Sequence, residues 1–194
     1  MIHFRTLSHM HTPALEAAVH NGADAFGQIV ARQKAPGSAH HDTQSIFLRG
    51  PENPTAESWF KDEPHVDYAI LGATEWIAAK NALREIRRLV ETDFGKVRPG
   101  SVLGSMGKAL IISLKAGGHV DWHVDEGAYA EKHWRFHLPL VTNPSAITYS
   151  GAEGAHFPVG ALFFINNRVK HSSINMGFFP RIHLVVDFRQ PEAA

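Results

Sequence analysis

From about Gly95 onward the sequence breaks into short apolar segments separated by turn residues, the spacing that all-β sandwiches and barrels require. Seven segments read as strands, at residues 108–115, 119–125, 134–141, 146–150, 160–166, 171–175 and 181–188. Two of them show the two-residue period of a sheet whose faces differ in chemistry. In WRFHLPL, Trp134, Phe136, Leu138 and Leu140 share one face, and Arg135 and His137 take the other. In RIHLVVDF, Ile182, Leu184, Val186 and Phe188 face one way, and Arg181, His183 and Val185 the other. Guanidinium and imidazole groups set among small apolar side chains are costly to bury unless an anion or a metal pairs with them. Arginine also grips a carboxylate in a fixed bidentate geometry. The polar faces therefore predict an interior that holds a dicarboxylate close to a metal ion.

The first hundred residues follow a different pattern. Thr12 and Pro13 are a cap and a first-turn residue, and Leu15, Val19, Phe26 and Ile29 continue at helical spacing to about Arg32, interrupted by Gly22 and Gly27. Residues 34–41 and 58–67 read as loops, and 45–49 as a short strand. The best helix spans 74–94, where Trp76, Ala79, Leu83, Ile86 and Val90 form one stripe suited to packing on a sheet. Its Arg84–Arg88 cluster reads as a solvated face. The fold expected is mostly β, an α+β chain. Residues 1–194 form one domain, with 1–100 as helical and loop support for a substrate pocket and 101–190 as the β core.

Lys and Arg (19) balance Asp and Glu (19), so no overall field favours nucleic acid or an anionic membrane. With no Cys, disulfides, thiolate catalysis and Cys-type zinc sites are excluded. The opening MIHFRTLSHMHTP lacks the apolar core of a signal peptide, and ALII and GALFFI are too short to span a bilayer. A soluble, cytoplasmic protein is expected.

The 14 His residues raise the question of a metal, and position has to answer it. The stretch GHVDWHVD, residues 118–125, offers two His-x-Asp pairs, His119 with Asp121 and His123 with Asp125. In a regular strand all four share one face, with Val120, Trp122 and Val124 on the other, so spacing does not choose between the pairs. His171 is the candidate third ligand, and Arg181 follows it by ten residues. Two imidazoles and one carboxylate on one face of a ferrous ion leave its other positions open for substrates.

Taken together, Gly117–Gly118, Val120, His123, Arg135-x-His137, His171 and Arg181 resemble the 2-oxoglutarate/Fe(II) oxygenases, specifically the aspartyl/asparaginyl (and proline) β-hydroxylase group. The resemblance covers about residues 108–188. It implies a double-stranded β-helix, a jelly-roll or cupin-like barrel, buttressed by the N-terminal helices. It also selects His123, Asp125 and His171 as the iron ligands, rather than the pair at 119 and 121. Arg181 would bind the distal carboxylate of 2-oxoglutarate, with His137 and Arg135 assisting. The cofactors implied are Fe(II), 2-oxoglutarate as co-substrate and O2, and the reaction is hydroxylation of a small molecule, an amino acid or a peptide side chain. Asp125 fills the position that related halogenases leave vacant, so halogenation is disfavoured. The competing reading is a cupin-like barrel that binds a metal or a small carboxylate without turnover. Oligomeric state is not legible.

Overall fold

The computed structural model describes residues 2–34, 37–69, 71–97 and 103–190, and of 94–97 the backbone alone. The β half begins with β4 (Met106–Leu114) and β5 (His119–His123), followed by β6 (His133–Val141), β7 (Ala146–Ser150) and β8 (Glu153–Ala155). It ends with β9 (Ala161–Ile165), β10 (His171–Asn175) and β11 (Arg181–Arg189). Ahead of it lie β1 (Phe4–His9), β2 (Thr43–Pro51) and β3 (His65–Asp67). One sheet runs β1-β9-β6-β11-β4-β2-β3 and the other β5-β10-β7-β8, so most successive core strands alternate between sheets. That alternation is the double-stranded β-helix expected from the sequence.

The turn from β4 to β5 is made at Gly117, whose φ of 67° is a left-handed conformation that other residues rarely adopt. Two helices, α1 (Pro13–Asn21) and α2 (Ala73–Val97), cover the outer face of the larger sheet. Ala79, Leu83, Ile86 and Val90 of α2 belong to one core with Ile46, Leu48, Ile111, Phe136, Leu138, Leu184, Val186 and Phe188. Each fully buried Ile or Phe there contributes about 1.5–3 kcal/mol of transfer free energy. The inward face of the same strands carries Phe47, Leu110, Ile112 and Val185, and beyond them the polar residues of the site. The alternation read from β6 and β11 therefore holds: apolar residues face the helices and Arg135, His137, Arg181 and His183 face inward.

The expected helix to Arg32 is shorter. It stops at Asn21, where Gly22 donates its amide to the Ala18 carbonyl at 2.8 Å, and only a single tight turn, Ala23–Ala25, follows. Glycine's cost within a helix outweighs the apolar spacing beyond it. Thr12 does not cap an amide; its hydroxyl reaches the Glu16 carboxylate at 3.3 Å. This early stop frees the next dozen residues from the helix and carries Arg32 to the barrel interior. Three strands and a helix were not foreseen. β1 sits at a sheet edge and is half-buried on both faces, so it has no apolar stripe. β3 and β8 have three residues each, and α3 (Gly127–Lys132) only six, too short for a period to register.

Candidate active site

The two His-x-Asp pairs separate because β5 is bulged. Along β10, His171 pairs with His123 and Ser173 with Val120, so three steps on β5 match two on β10. Paired residues share a face, so the extra residue brings Val120 and His123 onto the inner face together. The strict alternation expected across residues 119–125 is thus broken between the pairs. His119 and Asp121 lie outside, their side chains 51% and 52% exposed, beside His41 and Asp42. His123 and Asp125 are only 18% and 17% exposed and turn inward. Asp125 lies past the end of β5, where its amide donates to the Asn167 carbonyl at 3.0 Å.

His123, Asp125 and His171 offer ligand atoms that all lie within 4.8 Å of one another. Each imidazole is oriented by a backbone carbonyl: His123 Nδ1 is 2.7 Å from the Asp121 oxygen, and His171 Nδ1 is 2.9 Å from that of Val169. With Nδ1–H donating, Nε2 keeps its lone pair for a metal. His123 Nε2 is buried without a hydrogen-bond partner, so this donor set fits a divalent ion. Burial alone would raise the Asp125 carboxyl, but the adjacent Arg135 guanidinium holds it well below the ordinary range. Asn167 Nδ2 donates to the same carboxylate at 3.0 Å. Burial lowers His171 to about 4, against the pull of Asp125, so it is neutral at physiological pH.

Arg135 is not an open guanidinium. Its Nε and one terminal nitrogen donate to the two Asp187 oxygens at 2.9 Å each, and its other nitrogen contacts Asp125. Arg181 is the opposite case: 5% exposed, with two nitrogens that have no partner among the described residues. Burial brings it down to about 10, leaving it cationic at neutral pH. It lines one cavity with His123, His171, His137, Arg32, Thr148 and Ser173. His137 and His183, 3.3 Å apart through their Nδ1 atoms, are held neutral first by burial and then by the neighbouring guanidiniums. Two asparagines near His171 have separate tasks. Asn167 donates to Asp125, while Asn175 ties backbone carbonyls of residues 114, 115 and 179. Arg49 pairs with Asp67 at 2.7 Å.

Sequence reasoning missed Arg32, His40, Lys108, Tyr129 and Asp187. Asp187 sat in the RIHLVVDF strand on the same parity as Arg181, and that signal could have found it. The others depend on tertiary contacts. Lys108 is buried, its ammonium against the Trp59 carbonyl and 3.4 Å from the Tyr129 ring centre. Burial lowers it to about 7, with Asp187 opposing. The folded state therefore sheds this proton before the unfolded state does. Stability from this group is lowest below about pH 7 and rises as pH climbs from there toward the usual lysine value. The slope it adds is at most about 1.4 kcal/mol per pH unit. Urea unfolding between pH 7 and 9, with chelator present, should show this rise in the parent and lose it in Lys108→Met. Parallel profiles would mean that the buried ammonium is not penalised.

The double-stranded β-helix, with two histidines and a carboxylate converging inside it, is a fold that this chain shares with solved 2-oxoglutarate/Fe(II) oxygenases. Solved structures with the same fold include a viral collagen prolyl hydroxylase from Paramecium bursaria Chlorella virus-1, 6% identical, with a TM-score of 0.60 over 98% of this chain and 97% of that one. An oxidoreductase of the 2OG-Fe(II) oxygenase family from Burkholderia pseudomallei is 12% identical, with a TM-score of 0.57 over 100% and 96%. A Pseudomonas putida prolyl-4-hydroxylase is 12% identical, with a TM-score of 0.53 over 97% and 93%. No curated protein matches the sequence. The aspartyl/asparaginyl β-hydroxylase family model matches residues 81–191, more than half of the chain, and the chain belongs to that family. Among the described residues no helix is long and apolar enough to cross a membrane.

Proposed function

We propose that this protein is a 2-oxoglutarate- and Fe(II)-dependent hydroxylase, with His123, Asp125 and His171 as the iron ligands. Its substrate is a small molecule, an amino acid or a peptide side chain with an unactivated C–H bond. The observation that carries the reading is the convergence of His123, Asp125 and His171 within 4.8 Å of one another, with both histidines lining the cavity that Arg181 also lines. Iron with O2 would supply oxidative decarboxylation of 2-oxoglutarate to succinate and CO2, coupled to transfer of one oxygen atom into the C–H bond.

The chain's own groups prepare for that chemistry. Arg181 takes the distal carboxylate of the co-substrate, and neutral His137 stands in the same cavity without competing for that charge. Arg135 acts here as a positioning residue: clamped by Asp187, it holds Asp125 ionised and aimed. Ile112, Val120, Ile165 and Val185 line the cavity and exclude water. The N-terminal half contributes Arg32, His40, Trp59 and Phe60 to the wall of the outer cleft. Anaerobic addition of Fe(II) and 2-oxoglutarate should give a weak visible charge-transfer band, and admission of air should release succinate. Absence of both would leave only a metal- and carboxylate-binding barrel.

A further inference from the structure

We propose that Arg32 binds a carboxylate of the primary substrate, so that the compound hydroxylated is an amino-acid-sized acid held between the iron ligands and the outer cleft. This rests on the oxygenase reading above and adds a substrate class to it. Arg32 comes from the segment released when α1 stops at Asn21. It stands where two spaces meet. It lines the inner cavity with Arg181, His123 and His171, and also the outer cleft with Trp59, Phe60 and Glu126.

Its side chain is 9% exposed, yet it is only half satisfied. Nη2 lies 2.9 Å from His40 Nδ1, while Nη1 is buried and has no partner among the described residues. The carboxylates nearest in charge terms, Asp125 and Asp187, are both engaged by Arg135. The interior thus holds three guanidiniums, Arg32, Arg135 and Arg181, against two carboxylates. A divalent iron and a doubly charged 2-oxoglutarate cancel each other, so loading the site leaves the excess of guanidiniums in place, and the buried Lys108 ammonium adds to it when protonated. A buried cation without a counter-charge is strongly unfavourable, and an anionic substrate group removes that penalty.

The co-substrate does not need Arg32. One end of 2-oxoglutarate goes to the metal and the other to Arg181. Arg32 faces the cleft where Trp59 and Phe60 offer an apolar wall for the body of a second ligand. A guanidinium committed to a substrate carboxylate rejects the neutral amide, because binding the amide leaves the buried cation unpaired.

The test loads the protein with Fe(II) and 2-oxoglutarate and offers the standard protein amino acids as free acids and as α-carboxamides. Succinate formation and a mass gain of one oxygen are the readouts. At least one free acid should stimulate succinate release and gain oxygen, with its amide weaker by about 30- to 100-fold. Arg32→Gln should raise the KM for that acid by a similar factor, with the smaller effect on kcat, and compress the acid-to-amide ratio toward one. Arg32→Lys should restore part of that ratio, and thermal melts of both variants check that they fold. An absence of stimulation by any free acid, equal use of acid and amide, or a raised 2-oxoglutarate KM with an unchanged substrate KM would each overturn the assignment. Succinate release without added substrate tests the oxygenase reading separately. If it occurs while acid selectivity fails, only the role of Arg32 falls.

Discussion

Alanine at His123 or at His171 should abolish Fe(II) binding and succinate formation, whereas His119→Ala should bind iron and turn over as the parent does. Losing one of the three ligands removes a donor outright, a larger loss than the 10- to 100-fold typical of removing a group that only orients a ligand. Anaerobic titration with Fe(II) should therefore show affinity falling by more than about 100-fold in either inner variant. His119 lies on the far side of the β5 bulge, with its ring 3.1 Å from Asp121 and half in solvent, and it reaches no atom of the inner triad. Iron bound normally by His123→Ala and lost by His119→Ala would mean that the outer pair, with His41, is the metal centre.

That experiment turns on a feature the sequence does not display. Residues 133–141 and 181–189 announce themselves as strands because an apolar side chain recurs at every second position, and 106–114 because it carries the continuous apolar run ALII. β5 hides its geometry, since HVDWHVD alternates just as well and the bulge arises from pairing with β10. The same limit explains the rest of the site. Arg135 and Arg181 look equivalent as inward-facing arginines, and only the cross-strand pairing of Arg135 with Asp187 shows that one is bound and the other open. Arg32 is legible only as the end of a helix that in fact stops at Asn21, about ten residues earlier. Strand periodicity is a local property and survives in one dimension. Charge balance inside a barrel is set by residues over a hundred positions apart, and a single sequence does not encode it in any local pattern.

Arg181 gives the second large effect, and its two consequences have opposite signs. Arg181→Met should raise the 2-oxoglutarate requirement by about 100-fold or more, because truncating one partner of a buried charge pair costs about 2–5 kcal/mol. Iron binding should persist, since Arg181 is not among the converging ligand atoms. Without co-substrate the variant should be as stable as the parent or more so, because the substitution deletes a buried cation whose Nε and Nη1 are unpaired among the described residues. Added 2-oxoglutarate should then stabilise the parent, by about 2.7 kcal/mol at a hundred times its Kd, and leave the variant's melting temperature unmoved at the same concentration. The two measurements exclude different errors. A destabilised variant without co-substrate would mean that the guanidinium has protein partners, and an unchanged 2-oxoglutarate requirement would mean that the co-substrate carboxylate sits elsewhere. Only a cation held unpaired in the resting fold and neutralised by co-substrate gives both results together.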